Sequence, residues 1–143
     1  MSYSKSKKGF NYEFFFHSEK KQSFNKKLDT YFKRIIDHCP SINQLSLKIE
    51  SENTFPHSSG IASSASAFSS LSLCIYEIEK IINKNKNDFF NKSSLISRLG
   101  SGSACRSIYG PIALWGKTKT GSVGNRTSSK KTKKQHITKT TKT

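Results

Sequence analysis

The sequence predicts an α/β (α+β) two-layer sandwich. Three observations carry that prediction. Aromatic residues stand at every second position in "FNYEFFFH" (residues 10–17), and apolar residues alternate with polar ones in "NQLSLKIESEN" (43–53). Between and after them, apolar residues recur at three- and four-residue steps in 23–39 and 61–82. Period two marks a half-buried strand and period 3.6 a helix with one buried face.

Taken in order, Phe10, Tyr12, Phe14 and Phe16 suit a pleated surface and predict the first strand. "SFNKKLDTYFKRIIDHC" (23–39) places Phe24, Leu28, Tyr31, Phe32, Ile35, Ile36 and Cys39 on one helical face. Ser23 is the expected N-cap, and Pro40 ends the helix. Leu45, Leu47 and Ile49 then face one side of a second strand. A helix follows through Ile61, Ala65, Phe68, Leu71, Ile75, Ile78 and Ile82, and "NKNKND" breaks it. "FFNKSSLISRLG" (89–100) predicts a weaker helix closed by Gly100 as a C-terminal cap. "CRSIYGPIALWG" (105–116) reads as a buried strand carrying a proline bulge or lying at an edge.

Charge divides the chain of 143 residues into three parts. The net charge is +16, yet residues 1–8 hold three lysines and residues 117–143 nine Lys or Arg, with no acid in either. The stretch between has 13 basic and 9 acidic residues and is only mildly basic. Residues 1–9 are therefore expected to be a disordered basic terminus, 10–116 the folded domain, and 117–143 a disordered Lys/Thr/Ser tail. Cys39, Cys74 and Cys105 are odd in number and widely spaced. They read as reduced thiols of a cytoplasmic protein, with neither a disulfide framework nor a zinc site. No run of about 18 apolar residues predicts a membrane span.

The stretch "FPHSSGIASSASAFSS" (55–70) has the composition of a linker, but its order is that of a turn running into a helix. Small residues admit a ligand close to the backbone, and a helix N-terminus offers unpaired N–H groups and partial positive charge. That combination cradles phosphates. A serine-capped helix with small residues packed on a sheet satisfies the same pattern. Likewise "GSGSACRS" (100–107) reads either as an anion-binding turn or as a plain loop with Arg106 in a surface ion pair.

"PHSSGIASSAS" (56–66) resembles the ATP-phosphate motif Pro-x-x-x-Gly-aliphatic-x-Ser-Ser-Ala of the GHMP small-molecule kinases. No Walker Gly-Lys-Ser/Thr is present. "RLGSGSACRSIYGPIALWG" (98–116), some forty residues on, resembles the signature of the diphosphomevalonate decarboxylases within that superfamily. The resemblance extends from about Phe10 to Gly116 and implies the GHMP N-terminal-domain fold in incomplete form. It further implies ATP and Mg2+ as cofactors and diphosphomevalonate as substrate. In the family, ATP phosphorylates the tertiary hydroxyl, phosphate leaves as carbon dioxide is lost, and isopentenyl diphosphate results; members form homodimers. By the same resemblance Ser58, Ser59, Gly60, Ala62, Ser63 and Ser64 would bind the ATP phosphates, with Ser63 and Ser64 near the metal. Ser101, Gly102, Ser103 and Arg106 would bind substrate, Arg106 holding the carboxylate inside the pocket. Gly100 and Gly102 would supply the unusual backbone that presents these groups.

The family's Lys-Tyr-Trp-Gly-Lys segment has no counterpart in "MSYSKSKKGF". Its catalytic aspartate has none either, because Asp29, Asp37 and Asp88 all fall in or beside predicted helices as solvated residues. A truncated enzyme is the leading expectation. The alternatives are a non-catalytic remnant with an exposed sheet edge, or a nucleic-acid-binding module that uses "KKTKKQH" (130–136). Removing residues 117–143 should abolish non-specific polyanion binding while leaving the core folded. Filter binding across a salt series checks this, and binding that survives the deletion would place a polyanion surface on the core.

Overall fold

The computed structural model describes residues 1–20, 22–52, 63–84, 89–109, 113–115 and 129–131. Its centre is a four-stranded sheet of order β1-β4-β2-β3, made of β1 (Ser2–Lys5), β2 (Asn11–Phe16), β3 (Glu19–Lys20) and β4 (Leu45–Ser51). β2 and β4 run parallel from Asn11↔Ser46 to Phe16↔Ser51 and flank the crossover helix α1 (Asn25–Ile35). β1 pairs antiparallel with β4 and β3 antiparallel with β2. Three further helices follow, α2 (Ser63–Asn83), α3 (Phe89–Gly100) and the short α4 (Ala104–Ser107). β5 (Ala113–Trp115) and β6 (Ser129–Lys131) form a separate antiparallel pair. This is the mixed α/β architecture that the two periodicities predict.

The core lies between the sheet and the helices. Leu45, Leu47 and Ile49 of β4 are buried, and Phe10, Tyr12 and Phe14 pack partly buried beside them. From α1, Leu28, Tyr31, Phe32 and Ile35 close over that face. Rings meet at ordinary aromatic separations, with centroids 4.8 Å apart for Phe10–Phe32, 4.9 Å for Tyr12–Phe32 and 5.0 Å for Tyr31–Phe68. The opposite face carries the charges, including the exposed pairs Lys20–Glu13 and Lys48–Glu50. Such pairs contribute little to stability, because water already solvates both partners.

Several boundaries differ from the sequence expectation. Ser2–Lys5 is a strand, not a disordered terminus: its backbone takes hydrogen bonds from β4 while every side chain stays exposed, so hydropathy carries no trace of it. Ser23 does not cap α1; it sits inside a 3₁₀ turn, Gln22–Phe24, and Phe24 holds the N-cap position without a side-chain bond. α1 ends at Ile35, before the expected stop at Pro40, which instead opens a second 3₁₀ turn, Pro40–Gln44. The expected strand over 105–116 is split. Ala104–Ser107 is helical, with Arg106 N–H donating to Ser103 O at 3.2 Å, and among the described residues of this stretch Ala113–Trp115 is extended. A short apolar run fits either state by periodicity, and burial of Ala104 and Cys105 decided for the helix. Within the expected disordered tail, Ser129–Lys131 forms β6; the remainder of 117–143 lies outside the described residues.

Gly100 is a glycine for a different reason from capping. It is the last residue of α3, and a Cβ there would overlap the Phe68 ring of α2. Serines complete the contact. Ser72 donates to Phe68 O at 2.6 Å, so the Tyr31 hydroxyl, 2.7 Å away, is left to donate to Ser72. Burial pushes the Tyr31 phenol well above its ordinary value, keeping it a neutral donor.

Gly100→Ala should destabilise the fold by about 1–3 kcal/mol, the cost of overpacking, which exceeds the ~1 kcal/mol gained in helix propensity. Urea unfolding of Gly100→Ala alone and with Phe68→Leu checks this, and the second change should recover part of the loss. The thiols should also separate by reactivity. Cys74 is exposed while Cys39 and Cys105 are buried. Burial, reinforced by the negative charge of Glu79, pushes the Cys39 thiol up to about 12. Only roughly one molecule in ten thousand carries that thiolate at pH 8. Native-state labelling should therefore modify Cys74 first, with Cys39 reacting only on unfolding.

Candidate functional site

The first turn of α2 begins at the serine pair. Ser63 is half-buried and Ser64 exposed. Ser58, Ser59, Gly60 and Ala62 lie outside the described residues. Ser63 and Ser64 sit at the positive end of a 21-residue helix, where the first backbone N–H groups have no partner within the helix.

That turn opens into a groove of about 570 Å³. Phe14, Phe16 and Ile49 of the sheet form its floor, Phe24 of the 3₁₀ turn with Lys27 and Leu28 of α1 one wall, and Ser63, Ser64, Ala67, Phe68 and Leu71 of α2 the other. Cys74 lies further along the α2 wall, and Glu50 and Glu52 also line the groove. The size and the mixed lining, an aromatic and aliphatic floor with a rim of serines, Lys27, Glu50 and Glu52, suit a small polar organic ligand. Lys27 adds a cation to the groove, and sequence reasoning did not single it out. In the sequence it is one of two adjacent helix lysines, and nothing marks which of them faces the sheet.

The second motif is anchored by its backbone. Ser69 Oγ of α2 lies within hydrogen-bond reach of two carbonyls, Ala65 one turn back and Ala104 of α4 at 3.0 Å. Ser94 of α3 donates to Cys105 O at 3.2 Å. Ser97 O accepts from Ser101 N–H at 3.1 Å, and Ser101 O accepts from Ala104 N–H at 2.9 Å. The loop between α3 and α4 is thus fixed against the N-terminal half of α2, about two turns from Ser63. Ser101 and Ser103 are half-buried there, and Gly102 is exposed.

The two motifs therefore share one corner of the fold but not one cavity, since Ser101, Ser103 and Arg106 do not line the groove that holds Ser63 and Ser64. Arg106 is exposed, not turned into a pocket as expected, because the buried positions of α4 are taken by Ala104 and Cys105. Neither Gly100 nor Gly102 has left-handed backbone, so neither supplies unusual geometry. Gly102 has open space where a side chain would stand. Asp29 and Asp37 are exposed, and Asp29 accepts from the Tyr12 hydroxyl at 2.5 Å in a different pocket; Asp88 lies outside the described residues. Among the described residues, no group of three or more His, Cys, Asp or Glu could hold a metal, and no helix is long and apolar enough to cross a membrane.

Comparison with known proteins places the chain in a family. Diphosphomevalonate decarboxylase of Candida albicans is 40% identical over 76 residues, which is 53% of this chain and 20% of that protein. The Saccharomyces cerevisiae enzyme is 40% identical over 76 residues, 53% of this chain and 18% of its own length. The chain thus spans about a fifth of the curated relatives it matches. The structure of mevalonate diphosphate decarboxylase from Staphylococcus aureus superposes with a TM-score of 0.69 at 26% identity, over 94% of this chain and 38% of that one. The Enterococcus faecalis enzyme, solved in a study of mevalonate diphosphate mediated ATP binding, gives a TM-score of 0.63 at 27% identity over 85% of this chain and 35% of that one. A related structure is a complex with MVAPP, AMPPCP and magnesium. Residues 3–129 match the family described as the diphosphomevalonate decarboxylase-like N-terminal domain, and the chain belongs to that family.

Proposed function

We propose that this chain supplies the nucleotide-phosphate and substrate-carboxylate contacts for ATP-dependent decarboxylation of diphosphomevalonate to isopentenyl diphosphate. One observation carries the reading: a single helix, α2, starts with Ser63 and Ser64 in the groove and through Ser69 holds the loop that bears Ser101, Ser103 and Arg106. The solved Enterococcus faecalis relative, with its mevalonate diphosphate and ATP, supports the same pair of ligands here.

The residues fit the nucleotide and its magnesium. Hydroxyls and free backbone N–H groups at the start of α2 match phosphate oxygens, and a hard cation accepts hydroxyl oxygen. ATP, when bound, supplies the phosphoryl group that turns the tertiary hydroxyl into a leaving group. The aromatic floor of Phe14, Phe16 and Phe24 excludes water, and Lys27 offsets negative charge in the groove. Ser101 and Ser103 hydrogen-bond anionic substrate oxygens at the rim. Arg106, reaching from the exposed side of α4, orients the carboxylate with its planar fork. The anion is held by a partly solvated cation, so the interaction weakens as carbon dioxide forms and its charge is lost.

The test uses these residues within a full-length enzyme completed from a relative, assayed for release of carbon dioxide and phosphate. Arg106→Lys keeps the charge but loses the fork. It should lower kcat/KM by about 2- to 5-fold, or roughly 0.5–1 kcal/mol, the range for a solvent-exposed charge pair. ATP affinity should stay within about twofold, because Arg106 does not line the groove. Unchanged turnover, or an equal collapse of ATP binding, overturns the role given to Arg106. Absence of ATP binding in the completed wild-type enzyme overturns the function.

A further inference from the structure

The loop between α3 and α4, Ser101–Ser103, is short enough for the residues on either side to set its conformation. On the α4 side, Ser69 and Ser94 donate to Ala104 O and Cys105 O. The α3 side is held differently. Arg34 reaches over from the last turn of α1, and its Nη1 donates to Leu99 O at 3.1 Å. Leu99 is the last residue but one of α3, so its carbonyl belongs to the final turn and finds no N–H within the helix. Among the described residues no carboxylate pairs with Arg34, which leaves its charge to complement the negative end of the α3 dipole. A charged donor also makes a stronger bond to a carbonyl than a neutral one.

We propose that Arg34 is a positioning residue for the substrate loop, anchoring its α3 side as Ser69 and Ser94 anchor its α4 side, and so setting where Ser101 and Ser103 stand toward an anionic substrate. The assignment rests on the substrate role proposed above for those two serines. All three anchors take backbone carbonyls, so the loop keeps its own hydroxyls. Among the described residues neither Ser101 Oγ nor Ser103 Oγ has a hydrogen-bond partner. The loop has little else to fix it. Its backbone bonds to its flanks are Ser101 N–H to Ser97 O at 3.1 Å and Ala104 N–H to Ser101 O at 2.9 Å, and Gly102 is exposed with open space around it. Without the anchor at Leu99, the end of α3 would fray and carry Ser101 with it. Arg34 does not line the groove that holds Ser63 and Ser64, so its effect falls on the substrate side alone. Sequence reasoning had no means of finding it, because Arg34 is one of two adjacent basic residues and its partner is a carbonyl 65 positions away.

Amide hydrogen exchange on the whole chain tests the anchor. Arg34→Met should speed exchange of the Ser101 and Ala104 amides by about two- to tenfold, the factor for losing one hydrogen bond. Arg34→Lys keeps a donor and the charge and should restore most of the protection. Lys33→Met removes an equal charge from the adjacent position and should leave both amides as they are. Ser6 N–H, which bonds Gln44 O at the sheet edge, should respond to none of these changes. Kinetics of the full-length enzyme completed from a relative give the second readout. There Arg34→Met should raise KM for diphosphomevalonate by about two- to tenfold and keep ATP affinity within about twofold, a split that general destabilisation does not produce. Loop amides unchanged by Arg34→Met, an equal response to Lys33→Met, or KM for diphosphomevalonate at the wild-type value overturns the proposal. Absence of diphosphomevalonate binding by the completed wild-type enzyme overturns instead the role given to Ser101 and Ser103, and the exchange rates then decide the anchor by themselves.

Discussion

The close approach of α2 to α3 and α4 is the constraint on which the rest of the molecule depends. It exists because the facing positions are small. Gly100 leaves room for the Phe68 ring, and Ser69, Ser72, Ser93, Ser94 and Ser97 are buried where larger side chains would hold the helices apart. A buried hydroxyl is tolerable only if its hydrogen bond is made. Most of these serines turn to a backbone carbonyl, Ser69 and Ser94 across to α4, Ser72 and Ser97 within their own helices. The interface therefore gains directional bonds together with close packing, and those bonds fix where α4 stands.

Function follows from that placement. Ser69 and Ser94 grip backbone carbonyls of Ala104 and Cys105, leaving the side chains of Ser101, Ser103 and Arg106 uncommitted to that grip. The same helix delivers Ser63 and Ser64 to the groove against the aromatic face of β2. One rigid element thus positions both halves of the proposed site, which favours precision over adaptability. The sheet contributes the floor of the groove through the alternation that also builds the core, Phe14 and Phe16 pointing in while Glu13 and Lys48 point out.

Glu79 shows that α2 is under a second demand at its far end. Most of its buried face is apolar or hydroxyl, yet it carries a carboxylate whose hydrogen-bond partners among the described residues are a serine and an asparagine. The charge reaches beyond those contacts, since it helps hold the Cys39 thiol protonated. A polar group so placed constrains how the 3₁₀ turn before β4 docks on the helix.

The sequence by itself determined the strands at β2 and β4, the helices α1, α2 and α3, and the two motifs, because each repeats a pattern that local geometry reads directly. Tyr12 and Phe14, or Ile75 and Ile78, face the core wherever the chain pairs, since periodicity sets the face. Only the tertiary structure decided what lacks such a pattern. β1 exists through hydrogen bonds to β4 and buries no side chain, so "SYSK" carries no hydropathy signal. Residues 104–107 became helical because Ala104 and Cys105 are buried against α2 and α3, where Ser69 and Ser94 bond their carbonyls. Lys27 joined the groove, and Arg106 stayed outside it, through the rotation of α1 and α4 against their neighbours. Packing sets that rotation, and it cannot be read from either residue's neighbours in the chain.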